Sequence, residues 1–355
     1  MKKLAPDHIR NLIPYQSARC IKSHGHIWLN ANESPFFNNI VGRLEKNLNR
    51  YPEPQPKILL KKYSEYVEIN KKNILVTRGS DEGIELLIRT FCIPKTDKIM
   101  IFPPTYDMYE VSAKILGVDI VKINSCANFQ LNLLELQRNL SNIKIIYLCN
   151  PNNPTGNLIN QDDIYTILDI LNKNVLFVID EAYIEFSITA SMVKKIYKFP
   201  NLIILRTLSK SFGLAGLRCG FLLSNVKIIN YLKKVIAPYP IPLPVSEIAS
   251  EALSIRNINL MKKNVFMILK YKLWCFKKLL NFSFVKKIFL SDANFLLIKF
   301  FSANKIFKYL EENSVIVRSQ SHKLNLKNCL RVSIGTEGEC HQFIDLLSVF
   351  EEKNN

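Results

Sequence analysis

The sequence lacks the features that mark several large classes of protein. No apolar run in its 355 residues approaches the roughly 20 that a membrane-spanning helix needs. The first residues, Met1–Asp7, carry charges but no apolar core, so we expect no secretory signal there. We find no internal repeat and no long low-complexity segment. These absences predict that a membrane is not a partner of this chain.

Cysteine never occurs in a pattern that is typical of zinc binding. The eight cysteines are scattered, and none forms a Cys-x-x-Cys pair. Of the five histidines only His24 and His26 stand close together, which is a weak signal for a metal. We therefore predict reduced thiols, a cytoplasmic location and no metal site.

Acidic residues are few compared with basic ones. The chain has 48 lysines and arginines against 30 aspartates and glutamates, a net charge of +18. Such an excess can mark a nucleic-acid binder. However, the lysines run from Lys2 to Lys353 without clustering, and glycine is scarce, at 11 residues. We interpret the charge as a chain-wide drift toward Lys, Asn and Ile, and predict no nucleic-acid partner beyond weak sticking to polyanions.

Continuous apolar runs alternate with helical patterns over the first two thirds of the chain. Examples are Ile74–Thr77, Ile143–Cys149, Val175–Ile179 and Leu202–Leu205. Strands that are apolar throughout are typical of a parallel sheet covered on both faces. The pattern predicts an α/β fold with a mostly parallel central sheet flanked by helices.

Proline-rich segments suggest where the chain divides. Tyr51–Pro56 has three prolines at alternate positions and predicts an extended linker. Pro238–Pro244 precedes a long helical region, Ser246 to about Leu280. Mixed strands and helices follow, including a last helix opened by a capping box of Thr336 and Glu339. We predict an N-terminal segment, 1–50, with a helix around 40–48, that packs with a small α+β domain, 246–355, beside a large domain, 51–245.

Polar side chains follow several of the predicted strands. Asn153, Asp180, Tyr183 and Lys210 each come after one. Ligands of open α/β sheets bind beyond the carboxyl ends of the strands, so we expect these side chains to converge. Taken singly, each has a plain structural alternative: Asp180 could cap a helix, and Asn153 could be a turn residue.

Lys210 is an unusual residue to place at the end of a buried strand. It lies between Ser209 and Ser211, and Arg218 follows across a glycine-containing loop. A partly desolvated lysine near another cation has a lowered pKa, and its neutral amine can attack a carbonyl to form a Schiff base. The alternative is a basic surface loop.

Two groups of donors could hold a phosphate. Thr207, Ser209 and Arg218 form one group. The other is the backbone N–H groups of Ser80 and Asp81, just before a helix predicted over Ile84–Phe91, although those residues could simply cap that helix. A reactive amine and a phosphate clamp together suggest pyridoxal 5′-phosphate (PLP), an aldehyde that carries a phosphate.

The remaining requirements of PLP have candidates at the same strand ends. Lys210 would hold the aldehyde, and Asp180 would keep the pyridine nitrogen protonated. Tyr183 and Asn153 would donate to the phenolate oxygen of the ring. Tyr106, which follows a proline turn, would stack on the ring face.

These motifs together resemble the fold-type I PLP-dependent aminotransferases. The resemblance is carried by Asn150–Gly156, Asp180–Tyr183, Ser209-Lys210 and Gly216–Gly220. Within that group the sequence is similar to the histidinol-phosphate aminotransferases, through Leu29–Glu33, Tyr51–Gln55 and Arg78–Glu85. The resemblance covers the chain from about Leu12 to Ile344.

The resemblance implies a reaction and an assembly. The family moves an amino group between glutamate and imidazole-acetol phosphate, making histidinol phosphate and 2-oxoglutarate in histidine biosynthesis. Lys210 would shuttle the proton. The family is homodimeric, and the tyrosine matching Tyr51 reaches the cofactor phosphate of the other subunit.

The resemblance also implies substrate-binding residues. Arg331 matches the family's anion-binding arginine, Arg318 is a second candidate for phosphate, and Tyr15 matches a substrate-contacting tyrosine. Three alternatives share much of this pattern: a PLP lyase that decarboxylates threonine phosphate, a broad-specificity aromatic aminotransferase, and a basic binding protein with a decayed site.

Overall fold

The helices and strands follow one another along residues 6–15, 25–36 and 48–354, which are the residues that the computed structural model describes. The helix predicted around 40–48 lies almost wholly outside them. The α-helices are α1 Asp7–Arg10, α2 Lys57–Val67, α3 Gly79–Phe91, α4 Met108–Ile115, α5 Leu133–Arg138, α6 Gln161–Ile170, α7 Val226–Lys233, α8 Leu243–Ala252, α9 Ile255–Leu279, α10 Ala303–Glu312 and α11 Glu337–Asn354. The strands are β1 Ile27–Trp28, β2 Ile74–Thr77, β3 Lys98–Ile101, β4 Asp119–Lys122, β5 Ile143–Cys149, β6 Leu176–Asp180, β7 Leu202–Thr207, β8 Gly220–Ser224, β9 Val285–Phe289, β10 Phe295–Phe300, β11 Val315–Ile316, β12 Arg318–Ser319 and β13 Cys329–Ser333.

A seven-stranded sheet forms the centre of the fold, in the order β2-β8-β7-β6-β5-β3-β4. Strands β7, β6, β5, β3 and β4 are parallel, and β8 runs antiparallel to both of its neighbours. Along β7, Ile204 packs in one apolar cluster, whereas Ile203 and Leu205 pack in another. Successive side chains of a strand point to opposite faces, so this sheet is buried on both faces. The predicted α/β class with a mostly parallel central sheet is confirmed.

A four-stranded antiparallel sheet lies later in the chain, in the order β12-β13-β10-β9. The short strand β1 from the N-terminal segment pairs in parallel with β11, with Ile27 opposite Val315. The carbonyl of Leu29 also accepts the N–H of Ser333 at 2.9 Å. These contacts support the predicted packing of the N-terminal segment with the smaller domain, and the bounds of the domains stay a prediction.

Several element boundaries differ from those predicted. α3 begins at Gly79 instead of Ile84, so the glycine-containing turn is itself the first turn of the helix. The single helical region predicted from Ser246 is two helices, α8 and α9, because Ser254 accepts the N–H of Asn257 and caps the second. Asp180 is the last residue of β6, not the first beyond it.

The described ranges contain no helix that combines the length and apolarity needed to cross a bilayer. Within the same residues, no group of three or more His, Cys, Asp or Glu is placed to hold a metal ion. The cysteines there are free thiols, and six of the seven are buried.

Candidate active site

A cavity of about 590 Å³ opens at the carboxyl ends of β5, β6 and β7. This is the edge of the sheet at which the sequence predicts a ligand site. The structure brings together there every predicted site residue except Tyr51. They are Tyr15, Ser80, Asp81, Tyr106, Asn153, Asp180, Tyr183, Thr207, Ser209, Lys210, Arg218, Arg318 and Arg331.

Lys210 places a buried amine in this cavity. Its Nζ donates to the backbone carbonyl of Ala31 at 3.0 Å and lies 5.7 Å from the ring centre of Tyr183. Burial, and then the charge of Arg331, lowers the pKa of Lys210 to about 8. Arg218, the cation expected from the sequence, contributes less than Arg331 does. A substantial fraction of the amine is therefore neutral, and nucleophilic, near pH 8.

Asp180 places a buried carboxylate at the end of β6. It is 2% exposed, and burial raises the pKa of its carboxyl group to about 6. Two hydrogen bonds oppose that rise: the hydroxyl of Tyr109 donates at 2.9 Å, and the N–H of Ala182 donates at 3.1 Å. Sequence reasoning missed Tyr109, which lies on α4 with its ring stacked on Tyr147 at 4.9 Å.

Two asparagine contacts orient the groups assigned to the cofactor ring. The Nδ2 of Asn32 donates to the hydroxyl oxygen of Tyr183 at 3.1 Å, which leaves the hydroxyl proton of Tyr183 for another acceptor. Nη1 of Arg331 donates to Oδ1 of Asn153 at 2.6 Å, which leaves the amide N–H groups of Asn153 as donors. Asn32 lies in the segment Leu29–Glu33 that carried the resemblance, but no role had been assigned to it.

Arg331 reaches the cavity from β13 of the four-stranded sheet. Besides Asn153, its guanidinium donates to the carbonyl of Asn30 at 2.7 Å and lies 5.5 Å from the ring centre of Phe295. Burial lowers its pKa, and among the described residues it has no carboxylate partner. A buried guanidinium that contacts only neutral groups is suited to bind an anionic ligand.

The start of α3 and the β8 strand approach as closely as backbones can. Gly79 has a positive φ of 77°, and a Cβ there would lie 2.7 Å from Nη2 of Arg218. A Cβ on Gly220 would lie 2.7 Å from the backbone nitrogen of Ser80. Only glycine fits at both positions, and the first N–H groups of α3 are thereby brought beside Arg218.

Two hydroxyl groups lie beside Arg218 and the first turn of α3, and together these groups form a polar cradle. Oγ1 of Thr207 and Oγ of Ser209 are 2.9 Å apart, and Nη1 of Arg218 is 3.4 Å from the Ser209 hydroxyl. The carboxylate of Asp81 accepts from Arg218 at 3.3 Å and from the hydroxyl of Tyr106 at 2.9 Å. The positive charge of Arg218 offsets that carboxylate, so Asp81 does not repel an anion as strongly as its charge alone suggests.

Three further cationic side chains line the cavity, those of Arg318, Lys323 and Arg331. Antiparallel pairing of β12 with β13 places Arg318 opposite Arg331, and Tyr15 lines the same cavity. Sequence reasoning missed Lys323, whose Nζ donates to the carbonyl of Thr105 at 2.8 Å and pairs with Asp107. Burial lowers the pKa of Lys323. This contact links the loop after β12 to the loop after β3.

Tyr51 is the one predicted site residue that does not line the cavity. Its side chain is 81% exposed, and its ring stacks on Tyr239 with centres 4.6 Å apart. Within one chain it therefore lies away from the cradle.

Residues 26–347 match the family described as aminotransferase class I and II. The chain belongs to this family. A histidinol-phosphate aminotransferase from Buchnera aphidicola subsp. Cinara cedri is 56% identical to this aminotransferase over 353 residues, 99% of this chain and 100% of that protein.

Solved structures of related aminotransferases share the fold. The crystal structure of the histidinol-phosphate aminotransferase from Clostridium acetobutylicum superposes with a TM-score of 0.85 and 27% identity, covering 92% of this chain and 99% of that one. The enzyme of the same name from Sinorhizobium meliloti, solved in complex with pyridoxal-5'-phosphate, gives a TM-score of 0.87. It covers 99% of both chains, and its 19% identity supports the fold alone.

Proposed function

We propose that this aminotransferase transfers an amino group between glutamate and imidazole-acetol phosphate with PLP as its cofactor. Its products are 2-oxoglutarate and histidinol phosphate, in histidine biosynthesis. One observation carries the proposal: a lysine of lowered pKa, a buried carboxylate and a buried arginine line the same cavity. The near-full-length similarity to relatives named histidinol-phosphate aminotransferase supports the substrate.

The donor set of the cavity fits PLP. Asp180 supplies a carboxylate for the ring nitrogen, and Asn153 and Tyr183 keep hydrogens to donate to the phenolate oxygen. The cradle of Thr207, Ser209, Arg218 and the first turn of α3 suits a phosphate dianion. Bound there, PLP supplies an electron sink for the bonds of the substrate α-carbon. Tyr106 would cover one face of the ring.

The residues of the chain then divide the work of the reaction. Lys210 would hold the aldehyde of the cofactor, and its Nζ would move the proton at the substrate α-carbon. A pKa of about 8 allows this amine both to accept and to release a proton near neutral pH. Arg331 binds the α-carboxylate of glutamate, and Arg318 and Tyr15, which line the same cavity, bind the phosphate substrate.

We also propose a cytoplasmic homodimer. The position of Tyr51 supports it, because an exposed tyrosine away from its own cradle is available to the cofactor phosphate of a second subunit. Mixing Tyr51→Phe subunits with Lys210→Ala subunits tests this arrangement. Hybrid dimers should regain one functional site, whereas shared sites are contradicted if mixing restores no activity.

The function is tested by following the absorbance of the PLP-loaded protein as amino donors are added. Histidinol phosphate should convert the bound cofactor to its amine form, and 2-oxoglutarate should restore the original spectrum. Threonine phosphate and phenylalanine serve as comparison donors. Carbon dioxide released from threonine phosphate would move the chain to the decarboxylases, conversion by phenylalanine would favour the aromatic aminotransferases, and no bound chromophore would refute the use of PLP.

A further inference from the structure

The loop that joins β9 to β10, residues 290–294, forms hydrogen bonds with two chain segments that lead from the central sheet into the cavity. The N–H of Asp292 donates to the carbonyl of Gly156 at 2.7 Å, and its carboxylate accepts the N–H of Leu158 at 3.1 Å. The carbonyl of Asp292 accepts from the hydroxyl of Ser187 at 2.9 Å. Gly156 closes the turn that contains Asn153, and Ser187 follows the turn that contains Tyr183. The β9–β10 loop therefore touches both.

The same loop also holds the N-terminal segment that orients Tyr183. Nδ2 of Asn294 donates to the carbonyl of Asn32 at 3.1 Å, and the side chain of Asn32 donates to the Tyr183 hydroxyl. The carbonyl of Asn294 accepts the N–H of Ile334, just beyond β13. Asn294 is fully buried, so these contacts lie inside the fold.

The close packing of this loop leaves little room for it to shift. Gly156 has a positive φ of 82°, and a Cβ there would lie 2.5 Å from Oγ of Ser291. A displacement of the loop would therefore be transmitted directly to the turn that carries Asn153.

Lys272 of α9 holds the loop from the other side. Its Nζ donates to the carbonyl of Ser291 at 2.6 Å and to that of Ala293 at 2.7 Å, the two residues that flank Asp292. Among the described residues Lys272 forms no ion pair, so its hydrogen bonds go to backbone. Burial lowers the pKa of Lys272 to about 8, which leaves it mostly protonated at neutral pH, with three N–H groups to donate.

We propose that Lys272 is a positioning residue for the aminotransferase reaction. It fixes the β9–β10 loop, and through that loop the two cavity segments that carry Asn153 and Tyr183. This inference rests on the proposed function, in which those two residues hold the cofactor ring. A cation directed at two carbonyls is costly to bury, and the role accounts for a lysine, rather than an apolar residue, at this half-buried place on α9.

The test compares Lys272→Met with Lys270→Met, an exposed lysine of the same helix. Hydrogen exchange is measured first, on the cofactor-free protein, for a peptide spanning the β9–β10 loop. We expect exchange about tenfold faster in Lys272→Met. The affinity for PLP, measured by titrating the cofactor-free protein, should weaken by about tenfold. The kcat should fall by about 10- to 100-fold. Lys272→Arg, which keeps a cationic donor, should recover part of each loss.

A merely structural role gives a different result. Lys272→Met would then unfold more easily, while its folded fraction kept wild-type loop exchange, PLP affinity and kcat, and this would overturn the proposal. If Lys272→Met does not fold, Asp292→Ala is used instead, since it removes the carboxylate contact to Leu158 and leaves Lys272 in place. Weaker PLP binding and faster exchange would support the proposal, and wild-type values would overturn it.

Failure of the proposed function is separable from failure of this inference. Wild-type turnover of histidinol phosphate tests the function alone. Loop exchange and PLP affinity test the role of Lys272 without any substrate. If the wild type binds PLP but does not react with histidinol phosphate, the substrate assignment is wrong. The positioning role of Lys272 is unaffected by that result.

Discussion

The charge state of Asp180 depends strongly on one hydroxyl group. The carboxylate is buried, the pKa of this carboxyl group is about 6, and Tyr109 donates to it at 2.9 Å. Replacing Tyr109 by phenylalanine removes that donor and keeps the ring that stacks on Tyr147. The change therefore acts on the carboxylate with little effect on packing.

The size of the effect follows from the hydrogen bond. A hydrogen bond to a charged group contributes about 1.5–3 kcal/mol, and one pKa unit corresponds to about 1.4 kcal/mol. Tyr109→Phe should raise the pKa of Asp180 in the cofactor-free protein by about 1–2 units, to roughly 7–8. In the proposed function, PLP needs the ionised carboxylate of Asp180 at its ring nitrogen. The affinity of the wild type for PLP should therefore decrease as the pH is lowered through about 6. In the variant this decrease should already occur as the pH is lowered through about 7–8.

The pH dependence of the free energy of unfolding should also change in Tyr109→Phe. The pKa of Asp180 is higher in the folded chain than the roughly 3.9 of an unfolded aspartate. Its protonation therefore favours the folded state at low pH, and that contribution is lost as pH rises through about 6. In the variant the loss should extend to roughly pH 7–8.

The assay is a titration of the cofactor-free protein with PLP between about pH 5 and 9, read from absorbance. Tyr147→Phe is the matched control, because its hydroxyl is equally buried in the same aromatic stack but donates to the carbonyl of Ile84. The control should keep the wild-type midpoint. An unshifted midpoint in Tyr109→Phe would refute the role of this hydrogen bond.

Three further substitutions test separate parts of the molecule. Lys210→Ala should leave PLP that borohydride no longer attaches to the protein, and covalent label in this variant would contradict the assignment. Arg331→Ala should raise the KM for glutamate about 10- to 100-fold through lost charged hydrogen bonds, whereas unchanged kinetics with both substrates would remove it from the site. Arg206→Ala leaves two buried carboxylates unpaired, at Glu181 and Glu185, and should cost about 3–5 kcal/mol of unfolding free energy in urea. The exposed pair of Arg89 gives the control, with about 0–1 kcal/mol expected for Arg89→Ala; equal losses in the two variants would contradict the buried-pair argument.

Local features of the fold could be predicted from the sequence. The strand β5 has the predicted bounds, Ile143–Cys149, because a strand buried on both faces must be apolar throughout. The capping box also forms as predicted: the Thr336 N–H donates to Glu339 at 2.7 Å, and the Glu339 N–H donates back to the Thr336 hydroxyl at 3.3 Å. Its partners are three residues apart, so the sequence contains both.

Features that depend on distant partners could not be read in this way. β9 was not predicted, since its lysine-bearing sequence, Val285–Phe289, carries little apolar alternation, and pairing with β10 decides its conformation. α7 was also missed. The start of α3 was placed too late, because the close approach of Gly220 to Gly79, from a strand far along the chain, is invisible in the local pattern.

The class of the fold, and the edge of the sheet at which the polar side chains gather, could be inferred from the apolar pattern of the sequence alone. A parallel sheet places the ends of its strands together, so Asn153, Asp180 and Lys210 converge whatever the details of packing. Which groups shift the pKa values of these residues and orient them depends on contacts between distant parts of the chain. Tyr109 contacts a residue 71 positions away, and Arg331 reaches across 178 positions to Asn153. Burial and the nearest charges set a pKa, and both are properties of the assembled core rather than of residue spacing.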